Sequence, residues 1–475
     1  MTVLYSIIHA DGFKSGLWPI SGDMLPNSTY NNFFKQAFLN TASIIDDKNI
    51  ITLTCVSSFS DIKNQLKFLQ EKFCRKSEYK IISEPVSKKT APSVSLAVKY
   101  IDKLNFSSTS PVILYISSSQ FIINREKFFS IIEKGIKLAK AGFIVTFASE
   151  TNEINEDFCY LKARKNPQIS EIEQSALKVS AFIANPKTKT QKENLKGRLL
   201  INSGIYMFNA ETYFTELQKS APEIYNQIIA ANLNDSIPSI SIKEYEKIPD
   251  MSIECALMEK SRKLAVIPIN DDNSKNIDSW NALYDILNKD EKGNCFIGKT
   301  VDLDSENSMV YSSSKTIATL GLKNILVAQT EDAVTVIDRK NIGSVKKIYK
   351  KLNAKNKETK NIHKTVYCPW GYYNILEKGD GFLTKCITVN PNGKLSIQLH
   401  NNRSEHWLIL EGEAAVLKGK DIIKLKSGES IDIDVKEIHS LLNAGKEQLK
   451  ILEIQQGEIL DENDIERLED IYGRV

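Results

Sequence analysis

The sequence predicts an α/β front part followed by an all-β back part, and three observations carry that division. Over the first 285 residues, short runs rich in β-branched residues alternate with segments of helical periodicity. Beyond Tyr367 the chain reads as strand after strand, separated by turn signals. Four of the five histidines (His363, His400, His406 and His439, but not His9) lie after residue 360. Histidine is the commonest metal ligand and the usual proton carrier near neutral pH, so this crowding locates the chemistry in the back part.

The elements follow in order. VLYSIIHA, NIITLTCVS, PVILYISSS and AGFIVTFAS read as buried strands. DIKNQLKFLQEKF and NREKFFSIIEKGIKLAKA read as the helices between them, which predicts βαβ units and a mainly parallel sheet. From Asn294 to about Asp338, short strands follow one another without helices and form a β-rich connector. A lysine-rich helix begins at VKKIYKKL, and its polar tail reads as a linker. The expected domains are therefore 1–285, 286–352 and 353–475. In the last of these, GFLTKCITV, KLSIQLH, HWLILEG, AAVLKG, DIIKLK, SIDIDV and LKILEIQQ are strands. The turns between them include NPNG, KGKD, SGES and NAGKEQ, a spacing typical of a sandwich or barrel. DENDIERLEDIYGR, opened by acidic residues, predicts a closing helix.

At 475 residues the chain is too long for one core, so two or three domains are expected. Its 42% hydrophobic and 25% charged residues are those of an ordinary soluble protein. A net charge of +3 sets up no field aimed at nucleic acid or an anionic membrane. No apolar run approaches the roughly 18 residues of a membrane span, and MTVLYSIIHADG reads as a first buried strand rather than a signal peptide. Seven scattered cysteines without a CxxC pair predict free packing thiols in a reducing, cytoplasmic compartment.

The chemistry concentrates in QLHNNRSEHW, residues 398–407. In a strand, Gln398 and His400 share one face while Leu399 points away. Glu405 follows a short polar break, and His439 lies on a later segment that a small antiparallel barrel can bring alongside. One amide oxygen, two imidazoles and one carboxylate suit a divalent ion such as zinc, manganese, cobalt or iron, with positions left open for substrate. The alternative is a set of polar residues on a half-exposed sheet. His363 and His406 are read as ordinary residues.

The segments CPWGYYNILEKGDGFLTKCITVNPNGKLSIQLHNNRSEHWLILEGEA and IHSLLNAGKEQLKILEIQQGEILDENDIERLEDIYGR resemble the C-terminal domain of type II phosphomannose isomerases. That domain occurs in bifunctional mannose-1-phosphate guanylyltransferase/mannose-6-phosphate isomerases. The resemblance implies a metal-binding cupin β-barrel that interconverts mannose 6-phosphate and fructose 6-phosphate through an enediol. A sugar phosphate needs cationic partners, for which Arg403 and Arg474 are candidates and Lys385 a further one. Glu405 is a ligand candidate first and a proton-transfer base second. The family carries a histidine triplet where this chain has His400, Asn401 and Asn402.

Upstream, LWPIS, EPVSKKTAP, NSGIYMF, MSIECALMEK and SWNAL resemble guanylyltransferase segments, so residues 1–285 are expected to form a GT-A/Rossmann-like nucleotidyltransferase fold. The resemblance also shows what is missing. Gly16 stands where the phosphate-loop arginine is expected, with Lys14 nearby, and Asn27 stands for a lysine. Ser119 and Gln120 replace an aspartate-histidine pair, Ala184-Asn185-Pro186 replaces Glu-Lys-Pro, and Asn276 replaces the second metal aspartate. Magnesium for nucleotidyl transfer needs those carboxylates. Lys88, Lys89, Asn202 and Glu254 are candidates for a remnant sugar-nucleotide pocket.

Three readings follow. The first is a metal-dependent isomerase of GDP-mannose and polysaccharide biosynthesis on a degenerate transferase scaffold. The second keeps both family activities, with magnesium serving the transfer. The third is a non-catalytic sugar-phosphate-binding protein. All three imply a small-molecule sugar phosphate as partner, no nucleic acid or membrane, and a possible homo-oligomer.

Overall fold

The apolar runs of the front part pair into one nine-stranded sheet in the computed structural model of the chain. The structure describes residues 3–10, 15–20, 27–55, 59–72, 79–104, 109–151, 154, 158–186, 188, 199–231, 240–270, 274–277, 279–330, 333–355, 365–368, 370–460 and 464–469. Two compact units divide at Leu287 and Asn288, with the described segments 15–20 and 59–61 belonging to the second.

In the first unit the strand order is Lys80–Glu84, Ile50–Cys55, Leu4–His9, Val112–Ser117, Leu199–Asn209, Ile144–Thr151, Leu264–Pro268, Leu177–Ala184, Cys159–Arg164. The first four run parallel, as the βαβ pattern predicts. The sheet as a whole is mixed rather than mainly parallel. Leu199–Asn209 inserts antiparallel between Val112–Ser117 and Ile144–Thr151, and two further antiparallel strands finish the far edge. Local alternation of strand and helix fixes which segments pair with a crossover, but carries no information on where a late strand inserts. Helix Arg125–Lys140 buries one stripe, Phe128, Ile132, Gly135 and Leu138 with Ala139, whereas Thr90–Leu104 is buried all round from Ala91 to Val98. Asn124 caps Arg125–Lys140, its side chain accepting from the Lys127 N–H at 3.0 Å.

The second unit begins with the connector. Cys295–Ile297, Met309–Ser312 and Ile325–Gln329 stack parallel, as do Thr300–Leu303 and Ile317–Leu320, so the turns form a small β-helix. Helix Val345–Lys355 follows.

The final part is two antiparallel sheets. One has the order Thr365–Cys368, Gly371–Gly379, Phe382–Val389, Leu449–Gly457, Arg403–Glu411, Ser430–Ile433. The other has Asp421–Lys426, Glu413–Lys418, His439–Leu442, Ile397–His400, Ile465–Glu469. The expected closing helix is not formed over its described residues: Ile465–Glu469 is an edge strand, antiparallel to Ile397–His400. Docking beside an open strand satisfies the backbone of both segments, and this outweighs local helix propensity.

The interior is layered. Val389 faces Leu449, and Ile387, Ile451 and Ile409 form the next rung. Trp370, Trp407, Val416, Ile433 and Leu441 complete this apolar core. One rung further along the same inward rows, the side chains become polar.

Candidate metal centre

Strand alternation builds the site. Along Arg403–Glu411 the buried positions are Arg403, Glu405, Trp407 and Ile409, while Ser404, His406 and Leu408 lie outside them. Along Leu449–Gly457 the buried row is Leu449, Ile451, Glu453 and Gln455. Register places Glu405 opposite Gln455, and places Trp407 and Lys385 on either side of Glu453. In the facing sheet, Gln398 pairs directly with His439.

This brings Gln398, His400, Glu405 and His439 together. His400 Nε2 lies 3.0 Å from Glu405 Oε1, and His439 Nε2 lies 3.8 Å from Glu405 Oε2. The Gln398 amide is 3.5 Å from both imidazole Nε2 atoms. An ion held at about 2.0–2.2 Å by nitrogen and oxygen ligands separates those ligands by roughly 3–3.5 Å, so the spacing fits with small adjustment. The amide nitrogen faces the imidazoles as placed. A half-turn presents the oxygen instead, and the Ser396 hydroxyl, 2.7 Å from the other end, can serve either arrangement.

The imidazoles are aimed. The Nδ1 of His439 is 2.8 Å from the Glu437 carbonyl, and that of His400 is 3.3 Å from the Asp464 carbonyl. A carbonyl only accepts, so each Nδ1 carries a proton, and Nε2 is the inward-facing atom of each ring. Burial pushes the His439 imidazole below its usual range, opposed by the Glu405 charge, which keeps it neutral and able to ligate. Burial would raise the Glu405 carboxyl. The hydrogen bond and charge of His400, with His439 and Arg403, instead hold it below the usual carboxylate range.

Trp407, Glu453 and Gln455 of this end were not among the site candidates of the sequence, whereas Arg403 and Lys385 were. Trp407 Nε1 donates to both Glu405 Oε2 (3.1 Å) and Glu453 Oε1 (3.2 Å). Gln455 Nε2 donates to Glu405 Oε1 (2.9 Å) and Glu453 Oε2 (3.0 Å). Glu453 is pushed up to about 8 by burial and the neighbouring Glu405 charge. Lys385 lies 3.5 Å from Glu453 and 4.7 Å from the centre of the Tyr373 ring. Arg403, 2% exposed, donates to Glu405 Oε1 at 3.2 Å and stands 3.8 Å from Asp464. The available signal was period-two alternation: in LKILEIQQ, Glu453 and Gln455 continue the same buried row as Leu449 and Ile451. Lys14, His363 and Arg474 lie outside the described residues. His406 sits on the outer face with Asp432. Asn402 turns its amide to Asp464 rather than to the four clustered side chains.

In the first unit, a cleft of about 620 Å³ is lined by Gln120, Ser149, Glu150, Asn202, Asn276 and Asp285 among others. The described lining holds no lysine or arginine. Ser119 and Asn276 meet beside paired strands, and the Ser119 hydroxyl donates to Asn276 Oδ1 at 2.8 Å. Asn202 donates to the Tyr206 hydroxyl (2.8 Å), which donates to Glu254 (2.7 Å), so Glu254 is tied into a buried chain. Lys88 lies elsewhere, its ammonium donating to the carbonyls of Tyr245, Glu246 and Ile248 at the end of a short helix. Lys89 is exposed, and its backbone N–H donates to Asp250. Neither lines the cleft. Cys159, Cys255, Cys295 and Cys386 are free thiols, and Cys74 lies outside the described residues. No described helix is long and apolar enough to cross a membrane.

Fold and site together define a nucleotidyltransferase-type α/β unit joined through a β-helix to a cupin-type barrel with a His/Glu cluster. Residues 6–245 match the nucleotidyl transferase family, 298–352 the MannoseP isomerase/GMP-like beta-helix domain, and 355–470 the mannose-6-phosphate isomerase C-terminal domain. The chain is 30% identical over 480 residues to a mannose-1-phosphate guanylyltransferase of Escherichia coli K12, covering 99% of each chain. It is 31% identical over 475 residues to RfbM, a mannose-1-phosphate guanylyltransferase of Salmonella typhimurium (98% and 97%). It is also 30% identical over 479 residues to the alginate biosynthesis protein AlgA of Pseudomonas aeruginosa (99% and 97%). The crystal structure of mannose-1-phosphate geranyltransferase from Thermus thermophilus shares the fold, with a TM-score of 0.59 and 19% identity over 74% of this chain and 99% of that one. The chain belongs to the bifunctional mannose-1-phosphate guanylyltransferase/mannose-6-phosphate isomerase family of GDP-mannose biosynthesis.

Proposed function

We propose that the chain is a metal-dependent mannose 6-phosphate/fructose 6-phosphate isomerase, carried on a front unit that does not transfer guanylyl groups. The supporting observation is the convergence of two inward-turned imidazoles and a buried carboxylate in a barrel end lined by the buried Arg403 and Lys385. Gln398, His400, Glu405 and His439 would hold a divalent ion, which supplies Lewis-acid polarisation of the sugar oxygens and stabilises developing oxyanion charge. Arg403 and Lys385 offer cations to a phosphate or to the sugar hydroxyls. Two buried carboxylates of this end lie outside the ligand set: Asp464, held by the Asn402 N–H and amide, and Glu453, held by Trp407 and Gln455. We assign Glu453, whose pKa is pushed up to about 8, the transfer of the proton from C2 to C1 that an aldose-ketose isomerisation requires.

Against guanylyl transfer stands the Ser119–Asn276 pair. Two neutral side chains bonded to each other offer magnesium no carboxylate there, which leaves Glu150 and Asp285 as the carboxylates of the described lining, and that lining offers a triphosphate no cation.

A coupled assay of the purified protein with mannose 6-phosphate tests the reading. Fructose 6-phosphate should form, and EDTA should stop it. With GTP and mannose 1-phosphate, no GDP-mannose should form. Absence of isomerisation with zinc, manganese, cobalt and nickel alike would leave sugar-phosphate binding without turnover as the better account.

A further inference from the structure

We propose that Asn402 and Asp464 form a clasp that aims the His400 ligand, so that metal retention depends on the strand nearest the C-terminus. The inference rests on the metal reading above.

The ligand strand Ile397–His400 is only four residues long. On one side it meets His439–Leu442 at a single register pair, Gln398 with His439. On the other, all four of its residues pair with Ile465–Glu469. The strand carrying two candidate ligands is thus held mainly by an edge strand. Asp464, immediately before that strand, is 4% exposed and accepts from three sides. Its carbonyl faces His400 Nδ1 at 3.3 Å. One carboxylate oxygen accepts from the Asn402 N–H at 3.2 Å, and the other from the Asn402 amide at 2.7 Å. Arg403 stands 3.8 Å away.

The side-chain bonds anchor Asp464 to the turn just after His400, and this anchoring sets where the Asp464 carbonyl meets the imidazole. Without it, the ring loses the partner that fixes its tautomer and rotation. Partners of this kind typically alter metal affinity about 10–100-fold when removed. Asn402, standing where the resembling family has a histidine, therefore serves this site as a donor to Asp464 rather than as a ligand.

The test uses the full-length chain. Zinc affinity is measured by competition with a chromophoric chelator, and the visible spectrum of the cobalt-loaded protein reports the ligand field. Asp464→Ala and Asn402→Ala should each weaken zinc binding about 10–100-fold and shift the cobalt bands. Glu469→Ala, an equal charge loss at an exposed position of the same strand, should leave both within twofold. Asn402→Ala removes no charge from an exposed residue, so its result decides the matter if Asp464→Ala fails to fold. Zinc affinity within twofold of the parent and unchanged cobalt bands in Asn402→Ala, with zinc lost from His400→Ala, overturn the clasp alone. Zinc retained by His400→Ala sinks the ligand assignment and the clasp with it.

Discussion

His400 and Glu453 sit in the same barrel end but are assigned different work, and substitution separates them. His400→Ala removes a ligand, and the remaining groups leave a buried carboxylate with one imidazole partner fewer. Metal content, read by elemental analysis, should fall to background together with isomerase activity. Glu453→Gln keeps the shape and the ability to accept from Trp407, so metal should stay bound. Turnover should drop about 100-fold or more, because general acid-base transfer typically contributes 10²–10⁴-fold. An active His400→Ala, or a fully active Glu453→Gln, would show the roles to be wrongly assigned. The grouping of Gln398, His400 and Glu405 was legible in the sequence because QLHNNRSEHW places unusual residue types close together, whereas His439 joins them only through the barrel. Glu453, Gln455 and Asp464 were not legible there, since each looks like an ordinary polar residue until register sets it beside a ligand.

Elements decide where local patterns mislead. DENDIERLEDIYGR has helical spacing and an acidic start, yet its described core is a strand, because the ligand strand beside it has backbone groups to pair. The front unit shows the converse. Its parallel βαβ half was legible, but the pairing of Gln120–Ile122 with Ser274–Asn276, which sets Ser119 against Asn276, joins segments more than 150 residues apart. That pairing suggests a restoration experiment. Ser119→Asp combined with Asn276→Asp puts two carboxylates where a hydroxyl now donates to an amide. The double variant should bind manganese in the front unit, detectable by electron paramagnetic resonance, while His400→Ala in the same chain empties the barrel site. With no lysine or arginine in the described cleft lining to hold a triphosphate, it should still make no GDP-mannose. GDP-mannose formation by the unsubstituted chain would instead mean that other residues supply the transfer site.

At the scale of the whole molecule, the division at Leu287 and Asn288 separates two sets of chemistry with separate cores. A ligand that binds only the folded form stabilises it by RT ln(1 + [L]/Kd), about 2.7 kcal/mol at a hundredfold excess over Kd. The four clustered ligand candidates all belong to the second unit, and the described front cleft offers no carboxylate pair at Ser119 and Asn276. Metal should therefore act on one part of the unfolding profile. In calorimetry of the full chain, zinc should raise the transition of the barrel-containing unit, and EDTA should return it. The transition of the front unit should stay in place under both treatments. His400→Ala should abolish the zinc-dependent shift without moving the front-unit transition. A shift of both transitions would mean that metal reaches the front unit as well, and with it the carboxylates that the Ser119–Asn276 pair lacks would have to be sought elsewhere in that unit.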